Sequence, residues 1–394
     1  MNSSSPTLKP SAPRWTLKAE PAESKELASA TGLPHVLATL LAQRGIKTAA
    51  ETRDFLVPKL ASLRDPREVP EMTLAVERLF QAVDRKEKVI LYGDYDVDGV
   101  TSVALMHLML AAYGLPTDYF VPMRLEEGYG LSLDGLARCF EQFGKPDLVV
   151  ALDCGTTSIE ELRWLAGQGV DAVIVDHHEL SPEGRPECKA LVNPKLGADY
   201  HYFCTAGLVF KTAHALLRER RLDSFDLKET LDLVALGTVA DLVPLVDENR
   251  LLVRRGLEAL AQTRRVGLRA LMQSAGVEGV LHTHHVGFRL GPRINAAGRL
   301  DKATAALELV LTEDPVFATS QAALLEERNK ERQAVELAVL KQAEAMLEDM
   351  DLEKAHAIVL GSREWHPGVI GIVASRISRS LNRPTILVAI DESG

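Results

Sequence analysis

Asp94-Tyr95-Asp96-Val97-Asp98-Gly99 follows directly on the apolar run Val89-Ile90-Leu91-Tyr92. The run is short, continuous and bounded by polar residues, which reads as a buried strand. Val100 to Leu108 then reads as a helix. Three carboxylates therefore alternate over five positions where a strand gives way to a helix, the edge at which open α/β sheets place their ligands. Like charges crowded there cost stability unless something positive offsets them. A divalent cation held through oxygen is the natural candidate.

The same grammar recurs downstream. Asp118 to Pro122 reads as a second strand, leading to Arg124 and Glu127-Gly128-Tyr129-Gly130. Asp147 to Leu152 is an apolar run closed by Asp153, and Val170 to Val175 is one closed by Asp176-His177-His178. Strands alternating with helices imply an α/β fold with a doubly wound, mostly parallel sheet and right-handed crossovers. In such a sheet these strand ends share one edge, so residues distant in sequence converge. Leu231 to Ala240 is a further apolar segment closed by an acid, Asp241.

Around this core the chain reads as follows. Residues 1–30 are expected to be a disordered tail rich in Ser, Pro and Lys, and 31–85 a segment of short helices. The main α/β domain spans 86–312. Within it, Glu248 to Gln273 looks helical and basic, and Gly287 to Arg299 looks like a loop rich in Gly, Pro and Arg. A connecting helix covers 313–353, polar on every face at its middle and thus suited to bridging through solvent. A second α/β unit, 354–394, begins but stops too soon to be a complete domain.

Composition narrows the classes. The chain of 394 residues carries 45 basic and 55 acidic side chains, a net −10, which argues against coating nucleic acid by bulk charge. Four cysteines form no C-x-x-C pair and no export signal precedes them, so reduced thiols of a cytoplasmic protein are expected. No apolar run approaches the roughly 20 residues of a membrane span.

Asp96, Asp98, Asp153, His177 and Asp241 together offer four carboxylates and an imidazole. That set suits Mn²⁺ or Mg²⁺ better than zinc, and it is large enough for two ions sharing a carboxylate. Such a pair performs phosphoryl hydrolysis. An EF-hand is excluded because Leu105 stands where its loop needs a bidentate Glu. No G-x-G-x-x-G follows the first strand, which disfavours a dinucleotide site. His178 is a candidate for contacting the scissile phosphate or moving a proton. Arg124, Arg293, Asn295 and Arg299 are candidates for holding phosphates. His282, His284 and His285 read as surface histidines. Asp94 and Asp176 are expected to support the ligands.

Asp94 to Gly99, Asp153-Cys154-Gly155, Asp176-His177-His178 and Thr238 to Pro244 resemble the four motifs of the DHH phosphoesterase superfamily. Glu127 to Gly130, Gly291 to Arg299 and Trp365 to Gly371 further resemble its single-stranded-DNA-specific exonuclease branch. That resemblance, running from about Leu33 onward, implies a 5′→3′ exonuclease using Mn²⁺ or Mg²⁺ and releasing 5′-mononucleotides, in bacterial recombination and repair. It implies one ion on Asp96 and Asp153, and another on Asp98, Asp153, His177 and Asp241. It also implies a cytoplasmic monomer working with single-stranded-DNA-binding protein, and a passage between lobes too narrow for duplex. A related alternative is a phosphodiesterase for short oligonucleotides or cyclic dinucleotides; a non-catalytic relative would be expected to have lost ligands. Two departures stand out. Tyr92 occupies a position where some members carry a metal-binding His, so water is expected to complete the first ion. The C-terminal Gly-Gly-His segment of the family's DHHA1 domain and its oligonucleotide-binding domain are missing, so the chain is expected to be a fragment.

Overall fold

The computed structural model describes residues 15–122, 130–198, 201–300, 304–348, 350–352 and 354–391, without the side chains of residues 299 and 300. The chain divides into two compact units, Leu63–Lys330 and a second that groups Met1–Ser62 with Glu331–Gly394.

In the second unit, α1 (Ser24–Thr31), α2 (His35–Ala42) and α3 (Ala49–Leu56) are short helices. All but the last residue of α1 falls in the span 1–30 expected to be disordered. Leu27 is buried against Ala38, Leu41 and Ala42, and Gly32 closes the helix in the left-handed region, where glycine carries no Cβ penalty.

The larger unit starts with α4 (Met72–Arg85), which belongs to the sheet domain, not to the preceding helices. Its Arg78, 7% exposed, pairs with Asp171 at 2.8 Å and Glu87 at 2.7 Å. Then come β1 (Val89–Gly93), α5 (Val97–Ala112), β2 (Thr117–Phe120), α6 (Leu133–Phe143), β3 (Leu148–Leu152), α7 (Ile159–Gly167), β4 (Asp171–Val175) and β5 (Ala190–Val192). The strands form one parallel sheet in the order β2-β1-β3-β4-β5. The three-residue β5 was not anticipated; three apolar residues are too few to show a period.

Strand alternation sorts the core. Ile90, Tyr92, Val149, Ala151 and Ile174 pack with Leu136, Cys139, Leu162 and Leu165 of α6 and α7. Tyr92 is fully buried in this layer, and its hydroxyl donates to Gly130 O at 3.3 Å. On the other side α5 packs against β1 and against α8 (Thr205–Glu219) and α9 (Leu231–Ala240). The carboxyl-terminal half of this unit is helical: α10 (Asp247–Ala261), α11 (Val266–Ser274), a π-helical turn Val286–Leu290, α12 (Gly291–Leu300) and α13 (Thr304–Leu311).

One expectation changes here. The stretch from Gly287 to Arg299 is helical, not a loop, and its Gly298 serves close contact: a Cβ there would lie 2.8 Å from Tyr95 Cβ. The basic run is helical as expected, and within it Arg255 meets Glu258 at 2.8 Å and Arg265 meets Asp232 at 3.2 Å. His282, His284 and His285 are not buried, as expected.

α14 (Pro315–Glu348) is continuous over 34 residues, about 51 Å at 1.5 Å per residue. Its middle is not polar toward solvent on all faces, since Asn329 is 2% and Arg332 9% exposed. β6 (Ile358–Ser362), α15 (Pro367–Leu381) and β7 (Thr385–Ala389) follow, the two strands pairing in parallel. No helix among the described residues is long and apolar enough to cross a membrane.

α9 and α10 meet closely at Gly256, where a Cβ would fall 2.3 Å from Leu231 O and 2.5 Å from Ala235 Cβ. Alanine there gains about 1 kcal/mol of helix propensity. The backbone overlap outweighs that gain, so Gly256→Ala is expected to cost about 1–3 kcal/mol net. Thermal melting checks this; an unchanged or raised Tm rejects the contact.

Candidate metal centre

Parallel register lines up the ends of four strands. Gly93 pairs with Leu152, Leu152 with Val175, and Val175 with Val192. The next residue on each strand is Asp94, Asp153, Asp176 and Asn193. Backbone bonds extend the ladder to these positions: Asp94 N to Leu152 O at 3.3 Å, Asp153 N to Val175 O and Asp176 N to Val192 O at 3.1 Å each. Asp153 adopts φ +65°, a left-handed conformation that an L-residue holds only where its surroundings enforce it.

Asp96 and Asp98 come from the start of α5. Asp96 caps the helix, its Oδ1 accepting from Asp98 N at 2.9 Å and Gly99 N at 3.0 Å, which leaves Oδ2 outside the cap. Asp98, 1% exposed, accepts from Thr205 N at 2.7 Å and Ala206 N at 2.8 Å. These are the first amides of α8, whose positive end favours a carboxylate. Thr205 Oγ1 also donates to Asp153 Oδ1 at 2.9 Å. Sequence reasoning missed Thr205 and Ala206; a polar Cys-Thr opening of an apolar helix was the available signal. Gly237 allows this packing, since a Cβ there would lie 2.7 Å from Asp98 Oδ1.

Asp241 arrives from the C-terminal end of α9, not from a strand. An acid at that end opposes the helix dipole. Its Oδ2 lies 3.5 Å from His177 Nε2, which is also 3.5 Å from Asp153 Oδ1 and 3.9 Å from Asp98 Oδ2. Neither His177 Nε2 nor Asp241 Oδ2 has a hydrogen-bond partner among the described residues, although both atoms are buried. Donor atoms converging just beyond hydrogen-bond length, two of them buried and unsatisfied, fit a shared cation. Three groups of donor atoms lie within 4.8 Å of one another: Asp94, Asp96 and Asp153; Asp98, His177 and Asp241; and Asp153, His177 and His178.

The His pair is oriented by Asp176. Its Oδ1 accepts from His177 N at 2.8 Å, His178 N at 3.2 Å and His178 Nδ1 at 2.7 Å, and its Oδ2 accepts from Thr156 N at 3.1 Å. Asn193 Nδ2 donates to His178 O and Thr156 Oγ1.

Of the expected phosphate contacts, Arg124 lies outside the described residues, as does the side chain of Arg299. Arg293 turns to Glu326, with Nε 2.6 Å from the carboxylate. Asn295 Oδ1 accepts from Val97 N at 3.0 Å. Both side chains are thus engaged within the protein.

Burial, then repulsion from Asp98 and Asp96, raises Asp153 well above the usual carboxylate range. Burial and Asp98 also raise Asp96, and burial with Asp98 and Asp96 pushes Asp241 up to about 8. Burial lowers the His177 ring below its ordinary value. Asp176 differs: burial opposes its ionisation, but hydrogen bonds from His178 and Thr156 outweigh this and hold it at about 2. His178 is raised in turn, chiefly by its hydrogen bond to Asp176.

A pH dependence follows. An unfolded Asp ionises near 4, whereas Asp241 in the fold resists until about 8. Between these values the folded chain binds more protons than the unfolded one, so cation-free stability falls as pH rises through the window. A divalent cation that neutralises the cluster removes this loss. The increase in Tm produced by Mn²⁺ is therefore expected to grow from pH 5 to pH 8. An increase independent of pH rejects the cluster as the binding site.

Residues 88–238 match the DHH family, N-terminal domain. Over 384 residues the chain is 39% identical to the single-stranded-DNA-specific exonuclease RecJ of Bacillus subtilis, covering 96% of this chain and 48% of that protein. The chain spans about half the length of such curated relatives. A solved exonuclease RecJ bound to manganese superposes with a TM-score of 0.73 at 39% identity, covering 82% of this chain and 80% of that one. RecJ from Thermus thermophilus in complex with Mn²⁺ superposes with a TM-score of 0.79 at 34% identity, covering 93% of this chain and 52% of that one. With 39% identity over 80% of a relative of the same fold, this chain belongs to the RecJ family of DHH proteins.

Proposed function

We propose that this chain is the catalytic core of a metal-dependent exonuclease that removes 5′-mononucleotides from single-stranded DNA in the 5′→3′ direction. The observation that carries the reading is the convergence of Asp98, Asp153 and Asp241 on His177 Nε2 at 3.5–3.9 Å, with Asp96 beside Asp153. Relatives support it: the Bacillus subtilis protein is named a single-stranded-DNA-specific exonuclease, and Thermus thermophilus RecJ has been solved with Mn²⁺ and with Mg²⁺. Recombination and repair in the bacterial cytoplasm is the setting proposed with it. A single-stranded-DNA-binding protein as partner and a monomeric state rest on the family resemblance alone.

In this reading Asp96 and Asp153 would hold one ion, and Asp98, Asp153, His177 and Asp241 the other, Asp153 belonging to both sets. Asp94 reaches the first group as closely as its neighbours do, so its expected supporting role widens to that of a candidate ligand. Two divalent ions, when bound there, would supply activation of water at neutral pH and offset of phosphoryl charge. The protein does the rest. Thr205 and Ala206 fix Asp98, and Thr205 also steadies Asp153. Asp176 binds the Nδ1 side of His178 and favours its protonated ring, a cationic form suited to contacting a phosphate oxygen.

The test uses 5′- and 3′-labelled single strands with Mn²⁺. The chain is expected to release labelled mononucleotide first from the 5′ end. Asp153→Ala is expected to lower the rate by more than about 100-fold, the upper range for a merely supporting residue, while keeping the fold by circular dichroism. Retained turnover in that variant rejects the shared-ligand role, and release from the 3′ end rejects the polarity.

A further inference from the structure

The turn that carries Asp96 and Asp98 is fastened from outside by a helix that supplies neither acid. Asn295, on α12, accepts from Val97 N through Oδ1 at 3.0 Å. Gly298, one turn on, sits against Tyr95, where a Cβ would lie 2.8 Å from Tyr95 Cβ. Gly291, one turn back, sits where a Cβ would lie 3.7 Å from both Val97 Cγ2 and Ala240 Cβ. α12 therefore touches the residues on both sides of Asp96 and the residue before Asp241. From behind, α12 is tied by Arg293, which pairs with Glu326 at 2.6 Å.

The Val97 amide is the first of α5, one of the four N–H groups that a helix cannot satisfy internally. The next two amides donate to Asp96 Oδ1. Asp96 thus caps its own helix with one oxygen, and the direction of the other depends on the turn remaining in place. Val97 is buried at 1% exposure, so water is a poor substitute for Asn295.

We infer that Asn295 is a positioning residue for the metal centre. It holds the Asp96–Asp98 turn through its carbonyl oxygen instead of gripping DNA phosphate through its amide. The inference rests on the metal-dependent reading above. It differs from a phosphate-contact role in the atom used: positioning needs only the acceptor, whereas phosphate binding needs the donor.

The experiment compares wild type, Asn295→Ala and Asn295→Asp in the full chain. Mn²⁺ affinity is measured by electron paramagnetic resonance without DNA, then kcat and KM on single-stranded DNA at saturating Mn²⁺. Asn295→Ala is expected to weaken Mn²⁺ binding by about 10–100-fold, the range for residues that orient ligands, and to lower kcat with KM unchanged. Asn295→Asp keeps the acceptor and places a carboxylate at a helix N-terminus, where the dipole favours it. Its Mn²⁺ affinity is expected to stay within about threefold of wild type. Unchanged Mn²⁺ affinity in Asn295→Ala overturns the inference alone. So does an Asn295→Asp variant that binds Mn²⁺ as weakly as alanine or raises KM. A wild-type chain that binds no Mn²⁺ overturns the metal reading itself, and this inference with it.

Discussion

Buried carboxylates that face one another without an equal number of cations set the terms for this structure. Asp94, Asp98 and Asp153 are each 2% exposed or less, with Asp96 and Asp241 beside them. Their mutual repulsion grows as water is excluded. The fold contains this cost by giving the acids fixed partners: the ladder extended past the strand ends, the cap on α5, and the first amides of α8. These partners orient the acids more than they neutralise them. The raised Asp96, Asp153 and Asp241 carboxyls record the remaining charge.

Asp176 lies in the same row of strand ends yet behaves oppositely. It accepts three hydrogen bonds on one oxygen and one on the other, and stays ionised down to about 2. Its neighbour in the row, Asp153, retains its proton far more readily. Environments that separate the protonation of like groups divide their roles. Asp176 is a permanent anion that aims the two histidines, while Asp153 sits where a cation has most to offset.

Legibility in the sequence varied with how local the cause was. Val89–Gly93 and Leu148–Leu152 each carry an unbroken apolar run into an acid, so strand, terminus and site residue could be read together. β5 could not, because three residues reveal no period. The Gly287–Arg299 stretch reads as a loop in sequence because glycine signals flexibility when viewed alone. In the fold Gly298 is required by Tyr95, a residue two hundred positions away in the chain. Thr205 and Ala206 were missed for a similar reason, since a backbone amide becomes a ligand-orienting group only when a particular carboxylate lies opposite it.

The sequence by itself determined the α/β class, the strand ends and the set of residues able to share a cation, because periodicity and side-chain chemistry are properties of short segments. Tertiary structure alone decided the arrangement. Parallel register placed Asp94, Asp153 and Asp176 in one row, and helix packing brought Asp241 to His177 from the far side. Asn295 and Arg293, expected at the substrate, became engaged within the protein. Those outcomes depend on distances between segments that are remote along the chain, and no local pattern encodes a distance. The three alternating acids of Asp94 to Gly99 were evident from the start; their caps, clamps and partners required the fold.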